Sequence, residues 1–522
     1  MITRMKAFKT ESKIAIALVI LFAASLIPVF WLGSYGYPSA DDYGFSAYSH
    51  IAWTGTHSIW QTLKAAGTTV IERWYGWQGT FSSIFLMALQ PGIWGQYGLV
   101  PLIMIGMLTL STLFFLYIVM VKICQARPAV FIGTAMLYLI FAVQCMVDKT
   151  QGFFWYNGAA HYMLPHSVAL FLCGLCILLL TEKKKTVLRL ILSCLLAFFV
   201  GGSNYVTALI VAVLFVTAFG LLLLGKQGKK CWLLVLPLLF FAIAFLLNAL
   251  APGNAVRQEE MLVRPGVIKS IFQSFYYCVE YVIDTWFSWP YLLFVLALLP
   301  FLWETVKAFG RCSSFLFRAP LLVVFYCYCA LSAMFTPSLF ATGDVGGGRI
   351  FNIIFLDSMF YVMFSLFYCM GWFYRKLESF RAAEAVEEDS GGKAKSACRD
   401  SFGGPVSCFD RNVVRWYLAG VLFFCAFFGA MYMKVNPDHF TTTSAIYSLA
   451  TGEASAYGKE TAEREALLQE MEQNGESEIA IPRLTEHPYL LFWSDIEEDA
   501  GDWKNKSMAR YYQKDAIFGT QK

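Results

Sequence analysis

The chain has 522 residues, 58% of them hydrophobic and only 15% charged. A soluble domain carries roughly 25% charged residues, so most of this chain must lie in lipid. The formal net charge of +4 argues against nucleic acid as a partner, and charge placement says more than the total.

At the N-terminus the basic segment MITRMKAFKTESK precedes an apolar run from Ile14 to Gly33. That run is long enough to span a ~30 Å hydrocarbon core, exceeds the roughly 7–15 residues of a signal-peptide core, and is closed by no small-x-small cleavage site. It reads as a membrane anchor. Further apolar runs fall at 99–122, 129–147, 164–180, 187–203, 205–224, 231–250, 287–304, 319–335, 350–373 and 414–433, eleven in all.

Cytoplasmic connections are enriched in Lys and Arg, and the alternate loops obey this rule. Arg4, Lys6, Lys9 and Lys13 place the N-terminus inside. The next inside loops hold Lys122 and Arg127, then Lys183 to Lys185, then Lys226, Lys229 and Lys230, then Lys307, Arg311 and Arg318, then Arg375 and Lys376.

Residues 34–98 then form a large first outer loop. Its segment Thr80 to Gln90 is short for a span and is expected to lie in the interface or pack on the bundle. Its tryptophans (Trp53, Trp60, Trp74, Trp77, Trp94) suit headgroup depth.

Residues 375–413, rich in charge, Gly and Ser, read as a flexible cytoplasmic linker. Beyond the last span, residues 435–522 carry eight Lys and Arg against sixteen Asp and Glu and are expected outside. There TAEREALLQEMEQ reads as a helix and ESEIAIPRL as a strand. The expected architecture is an all-α polytopic membrane protein over 1–434, with about eleven transmembrane helices, followed by a small extracytoplasmic α/β domain over 435–522.

Fourteen cysteines do not imply a disulfide framework. Cys173, Cys176, Cys194, Cys231, Cys327, Cys329, Cys369 and Cys425 fall in or beside apolar runs, where cysteine acts as a small hydrophobe. Cys173/Cys176 and Cys327/Cys329 lack the second pair and polar shell of a metal site.

The outer side collects the unusual polar residues: Asp41 and Asp42 in YPSADDYGFS, Glu72 and Arg73, then Asp148, Lys149, Asn157, His161, Tyr162 and His166 in DKTQGFFWYNGAAHYMLPH. Asn204, Asn254 and Arg257 (APGNAVR), Asp344 and Arg349 (GDVGGGR) follow. Adjacent residues on a helix diverge by about 100°, so one of Asp41 and Asp42 faces a site and the other faces away. A carboxylate near apolar walls with a like charge beside it has a raised pKa, which suits a general base. The pair also has the oxygens to hold a divalent cation. The plainer alternative is a helix cap.

Gly-rich turns bearing one arginine, at Arg257 and Arg349, suit phosphate, beside the alternative of arginines snorkelling to headgroups. His161 and His166, at i and i+5 with Pro165 between them, suit polar contacts to a ligand rather than a metal pair.

An inside N-terminus, about eleven helices and acids soon after the first helix resemble the GT-C superfamily of integral membrane glycosyltransferases, and more closely a group of bacterial polytopic membrane proteins in that neighbourhood. The elements that carry the resemblance are ADDYGFS, FWYNGAAHYMLP, APGNAVR, GGR and DWKNKSMARYY, spread in order along the chain. The resemblance implies a polyprenyl-phosphate or pyrophosphate sugar donor, and a glycan, lipid or protein acceptor outside the cytoplasm. It implies inversion at the anomeric carbon, Asp41 or Asp42 as base, and Arg257 and Arg349 as phosphate ligands, with Asn254, Asn157, His161, Tyr162 and Arg73 as further substrate contacts. It leaves metal dependence open. Asn204 departs from the acid expected at that junction.

Two other readings stand beside it: a transporter or flippase of lipid-linked glycans, and a non-catalytic envelope-assembly protein. Against the transporter, the spans show no charges near their middles and no internal repeat.

Overall fold

Backbone immersed in hydrocarbon has no water to bond and must satisfy its own N–H and C=O groups, which a helix does within one segment. The computed structural model describes residues 2–259, 265–390, 420, 431, 436–474 and 477–521, and helix dominates it.

In chain order come α1 (Ile2–Gly33), α2 (Asp41–Thr56), α3 (Ile59–Gly76), α4 (Phe81–Met87), α5 (Val100–Leu116), α6 (Pro128–Gln144), α7 (Tyr156–Thr181) and α8 (Thr186–Gly201). They are followed by α9 (Tyr205–Leu224), α10 (Trp232–Ala249), α11 (Pro252–Glu259), α12 (Val267–Trp286), α13 (Trp289–Cys312), α14 (Pro320–Ala333), α15 (Thr336–Thr342) and α16 (Gly348–Ser390).

Among the described residues, eight stretches are long and apolar enough to cross a membrane: α1, α5 with the turns that extend it, α7, α9, α10, α13, α14 with α15, and α16. The chain is an all-α polytopic membrane protein. Of the eleven expected spans, those at 129–147 and 187–203 form α6 and α8, helices of 17 and 16 residues, and the run at 414–433 lies almost wholly outside the described residues.

Three expectations need correction. The charged segment from 375 does not begin as a flexible linker, because α16 continues to Ser390; residues 391–413 lie outside the described residues. Residues 267–286, read as part of an outer loop, form the 20-residue helix α12. Its charges at Lys269, Glu280 and Asp284 hid it from an apolar-run reading, while its other face buries Ser270, Ser274, Cys278 and Tyr281. The spans are also not free of interior charge: Asp357 lies within α16, its Oδ1 3.4 Å from Nδ1 of the buried His166 on α7.

Helices in lipid gain little from hydrophobic transfer, and small residues let their backbones pack closely. α8 and α10 show this, since a Cβ added at Gly201 would stand 2.5 Å from the Phe241 carbonyl oxygen. At one end of the bundle, basic residues pair with acids: Lys122 and Arg189 with Glu182 at 2.6 and 2.5 Å and Arg127 with Glu11 at 3.2 Å between segments, and Lys307 with Glu304 at 2.6 Å within α13. The C-terminal end of α1 and the N-terminal ends of α7, α9 and α16 meet at the other.

The C-terminal residues cover part of that second end. α17 (Thr441–Thr451) is tied down by the Thr442 hydroxyl, which donates to the Ser25 carbonyl at 2.9 Å. α18 (Glu453–Asn474), β1 (Glu478–Pro482), α19 (Trp503–Tyr511) and β2 (Ala516–Thr520) follow. β1 and β2 pair in parallel with Ile479 opposite Ile517. Ile479, Ile481 and Ile517 point inward to a small core with Met508 and Tyr512, which Tyr43 and Ala47 of α2 complete.

Candidate functional site

The chain leaves α1 and reverses at Ser39–Ala40, where Ala40 adopts φ +48°. For a residue with a Cβ this left-handed region costs on the order of 1–3 kcal/mol. The turn is pinned by its neighbours: the Trp155 indole N–H donates to the Ser39 carbonyl at 3.3 Å, and the Ser39 hydroxyl donates to the Ser494 carbonyl at 3.0 Å. α2 starts at once, with no side-chain cap, so neither acid serves as the cap that spacing alone allowed.

The helical turn sends the two carboxylates apart. Asp42 is fully buried and spent on structure. Its Oδ1 accepts from the Asn157 amide at 3.0 Å, and its Oδ2 from the Ser39 amide at 3.1 Å and the Tyr97 hydroxyl at 2.6 Å. Burial, with the Asp41 charge adding, pushes its pKa up to about 7 against the pull of those three donors. Asp41 instead faces a cavity of about 570 Å³. Its pKa is also raised by burial, a rise that Arg349, Arg73 and Arg257 oppose.

Asp41 is the only carboxylate among the described residues lining this cavity, whose cations are Arg73, Arg257, Arg349, Lys506 and Arg510. The first three have uncharged partners. Arg257 donates to Gln78 Oε1 at 2.6 Å with its guanidinium 5.4 Å from the Trp77 ring centre. Arg349 donates to Gln151 Oε1 at 3.1 Å and lies 5.6 Å from Trp155. Arg73 reaches only the Gly44 carbonyl, at 3.4 Å, beside the Phe45 ring, and burial lowers its pKa. Arg510 differs: it makes a two-pronged pair with Glu72 at 2.8 and 2.5 Å, which holds Glu72 below its usual range.

Asn157, His161 and Tyr162 also line the cavity. Asn157 is 1% exposed, and neither its Oδ1 nor its Nδ2 has a hydrogen-bond partner; the buried His161 Nδ1 and Arg73 Nε are likewise unmatched. Buried polar atoms are normally satisfied, and these unmatched groups leave hydrogen-bonding capacity on this wall.

Asp41, Arg73, Asn157, His161, Tyr162, Arg257 and Arg349 therefore converge from five distant segments. Asn254 and Asp42, expected beside them, do not line the cavity. Asn254 Oδ1 accepts from the Gly79 amide at 3.0 Å, and its Nδ2 donates to the Asn248 carbonyl at 2.7 Å and the Tyr205 hydroxyl at 3.0 Å. It fixes the start of α11 and so aims Arg257. Asn204 caps α9, accepting from the Thr207 amide at 2.9 Å and donating to the His161 carbonyl at 2.8 Å.

Both oxygens of Asp42 accept protein hydrogen bonds while Asp41 turns to the cavity, and the described residues contain no group of three or more His, Cys, Asp or Glu placed to hold a metal. Sequence reasoning missed Lys506 and Arg510 as cavity residues, although DWKNKSMARYY contains both, and it missed Trp77 and Trp155 as ring platforms beside the arginines. No family model, curated protein or solved structure matches the chain.

Proposed function

We propose that the chain is an inverting membrane glycosyltransferase of GT-C type that takes a sugar from a polyprenyl-phosphate-linked donor and passes it to a glycan, lipid or protein acceptor outside the cytoplasm. The observation that carries this reading is one unpaired carboxylate, Asp41, set in a cavity where Arg73, Arg257 and Arg349 have only uncharged hydrogen-bond partners. Asp41 takes the proton of the acceptor hydroxyl, the acceptor oxygen attacks the anomeric carbon from the face opposite the phosphate, and the C–O bond to phosphate breaks with its electron pair going to the phosphate oxygen. Arg257 and Arg349 stabilise the charge that develops there. Trp77 and Trp155 offer apolar ring faces for the sugar, and Asn157 and His161 offer hydrogen bonds to its hydroxyls.

On this reading, with the basic loops cytoplasmic, the N-terminus lies inside, the cavity opens at the extracytoplasmic face of the cell membrane, and residues 435–522 form a small outer domain. Asp41→Asn should lower release of polyprenyl phosphate from synthetic polyprenyl-phosphate hexoses by about 10²–10⁴-fold, the range for a lost general base, with donor binding preserved. Full transfer by this variant would sink the assignment.

The buried His166–Asp357 pair favours a second reading, a flippase for lipid-linked glycans, because ionisable residues inside spans mark transport pathways. Loss of glycan export with transfer intact in Arg257→Ala and Asp357→Asn would support it over the first.

A further inference from the structure

A second cavity, of about 380 Å³, opens at the same end of the bundle and shares no lining residue with the Asp41 cavity. Its deep wall is apolar, with Phe294, Phe355 and Met359 from α13 and α16. Lys149 enters from the segment before the π-helical turn Thr150–Phe154. It is 5% exposed, and no carboxylate among the described residues comes within ion-pair distance of it. Its ammonium rests 5.7 Å from the Tyr489 ring centre. An ammonium that deep is costly without an anion in contact with it, and burial lowers its pKa against the opposing influence of Cys145, Asp148 and Asp438. The rim carries two acids: Asp284, exposed at the end of α12, and Asp438, which accepts from the Ser444 hydroxyl at 2.6 Å.

Burial falls from the hydrocarbon wall and Lys149 to the half-buried Asp438 and the exposed Asp284. A phospholipid with an amine headgroup presents the complementary order of acyl chain, phosphate, ammonium. We propose that this cavity binds a zwitterionic aminophospholipid, its phosphate at Lys149, its ammonium toward Asp284 and Asp438, and its chains continuing over the exposed Val279, Ile283 and Phe287. A simple anion would leave the two acids unmatched, and a choline headgroup lacks the N–H donors to satisfy them.

The test is native mass spectrometry of the delipidated full-length protein, titrated with phosphatidylethanolamine, phosphatidylcholine and phosphatidylglycerol of identical chains. Phosphatidylethanolamine should bind roughly tenfold tighter than the other two. Lys149→Met should lower that binding by about the same factor. So should Val147→Trp, which blocks the mouth from a 45% exposed position where folding is not at stake. The double change Asp284→Asn and Asp438→Asn should erase the preference over phosphatidylglycerol. Equal binding of the three lipids, displacement by inorganic phosphate, a preference that survives the double change, or phosphatidylethanolamine binding unaltered by Val147→Trp would each overturn the proposal.

Discussion

Asp41 and Asp42 are the same residue type at adjacent positions, and their difference comes wholly from what surrounds them. Asp42 is held by three donors from three segments, Asp41 by none, and that contrast assigns the first to structure and leaves the second for chemistry. For Asp42 the folded pKa of about 7 lies above its ordinary value near 4, so the folded chain holds this proton more tightly than the unfolded one. The resulting stability is full below about pH 4 and is lost as pH rises through about 7, a span worth at most ~4 kcal/mol. Melting of the detergent-solubilised protein followed from pH 4 to 8 should therefore show a decline that flattens in Asp42→Asn. An equal slope in both proteins would show that another group is responsible.

For Asp41 the surrounding cations act against the raised pKa. Removing one in Arg257→Gln should move the acid limb of the transfer rate to higher pH, besides weakening transfer by about 10²–10³-fold if that guanidinium meets developing charge. A limb that stays in place would separate Asp41 from the rate.

Elements were legible in the sequence in proportion to how strongly lipid constrains them. A span must be apolar along its length, so α1, α7, α9, α10 and α16 stand out as unbroken runs. α12 and α3 face lipid or protein on one side only, and their charged residues, Glu280 or Glu72 for example, break the run that would reveal them. The docking of α19 was beyond reach for another reason. Its contacts with α2 and α3 join positions more than four hundred residues apart, as in the Arg510–Glu72 pair, and no local pattern encodes them.

That docking depends on a close approach. A Cβ at Gly44 would meet the Ser507 hydroxyl at 2.7 Å, so Gly44→Val must push α19 outward and carry Lys506 and Arg510 with it. The half-exposed Arg510–Glu72 pair adds only about 0–1 kcal/mol and cannot hold the helix against that clash. Gly44→Val is expected to raise KM for the lipid donor several-fold while changing kcat less, measured by steady-state transfer. A fall in kcat at constant KM would mean that α19 shapes the reacting centre rather than the donor's phosphate.

Across the whole molecule, alternation of helix direction gathers loops that are far apart in the chain. Segments near 40, 157, 257 and 349 share one end because each follows or precedes a crossing of the bundle, and this is why polar residues sorted by loop parity already grouped most of the cavity. Parity could not say which side chains turn into the cavity, and it put Asn254 among them. The two ends differ in charge: the end away from the cavity holds the lysine-rich turns, including Lys183 to Lys185, and the cavity end carries the acidic C-terminal residues.

If the basic end is cytoplasmic, a single-cysteine protein bearing Lys459→Cys, whose side chain is 78% exposed on α18, should react with a membrane-impermeant maleimide in intact cells. One bearing Lys184→Cys, exposed at the opposite end, should react only after permeabilisation. α6, α8 and the Phe81–Trp94 stretch are shorter than the eight spanning stretches, and the pair of labels tests the parity of crossings between these two positions directly. Labelling of Lys459→Cys only after permeabilisation would reverse the proposed orientation of the C-terminal residues and place the Asp41 cavity where an extracytoplasmic acceptor cannot reach it.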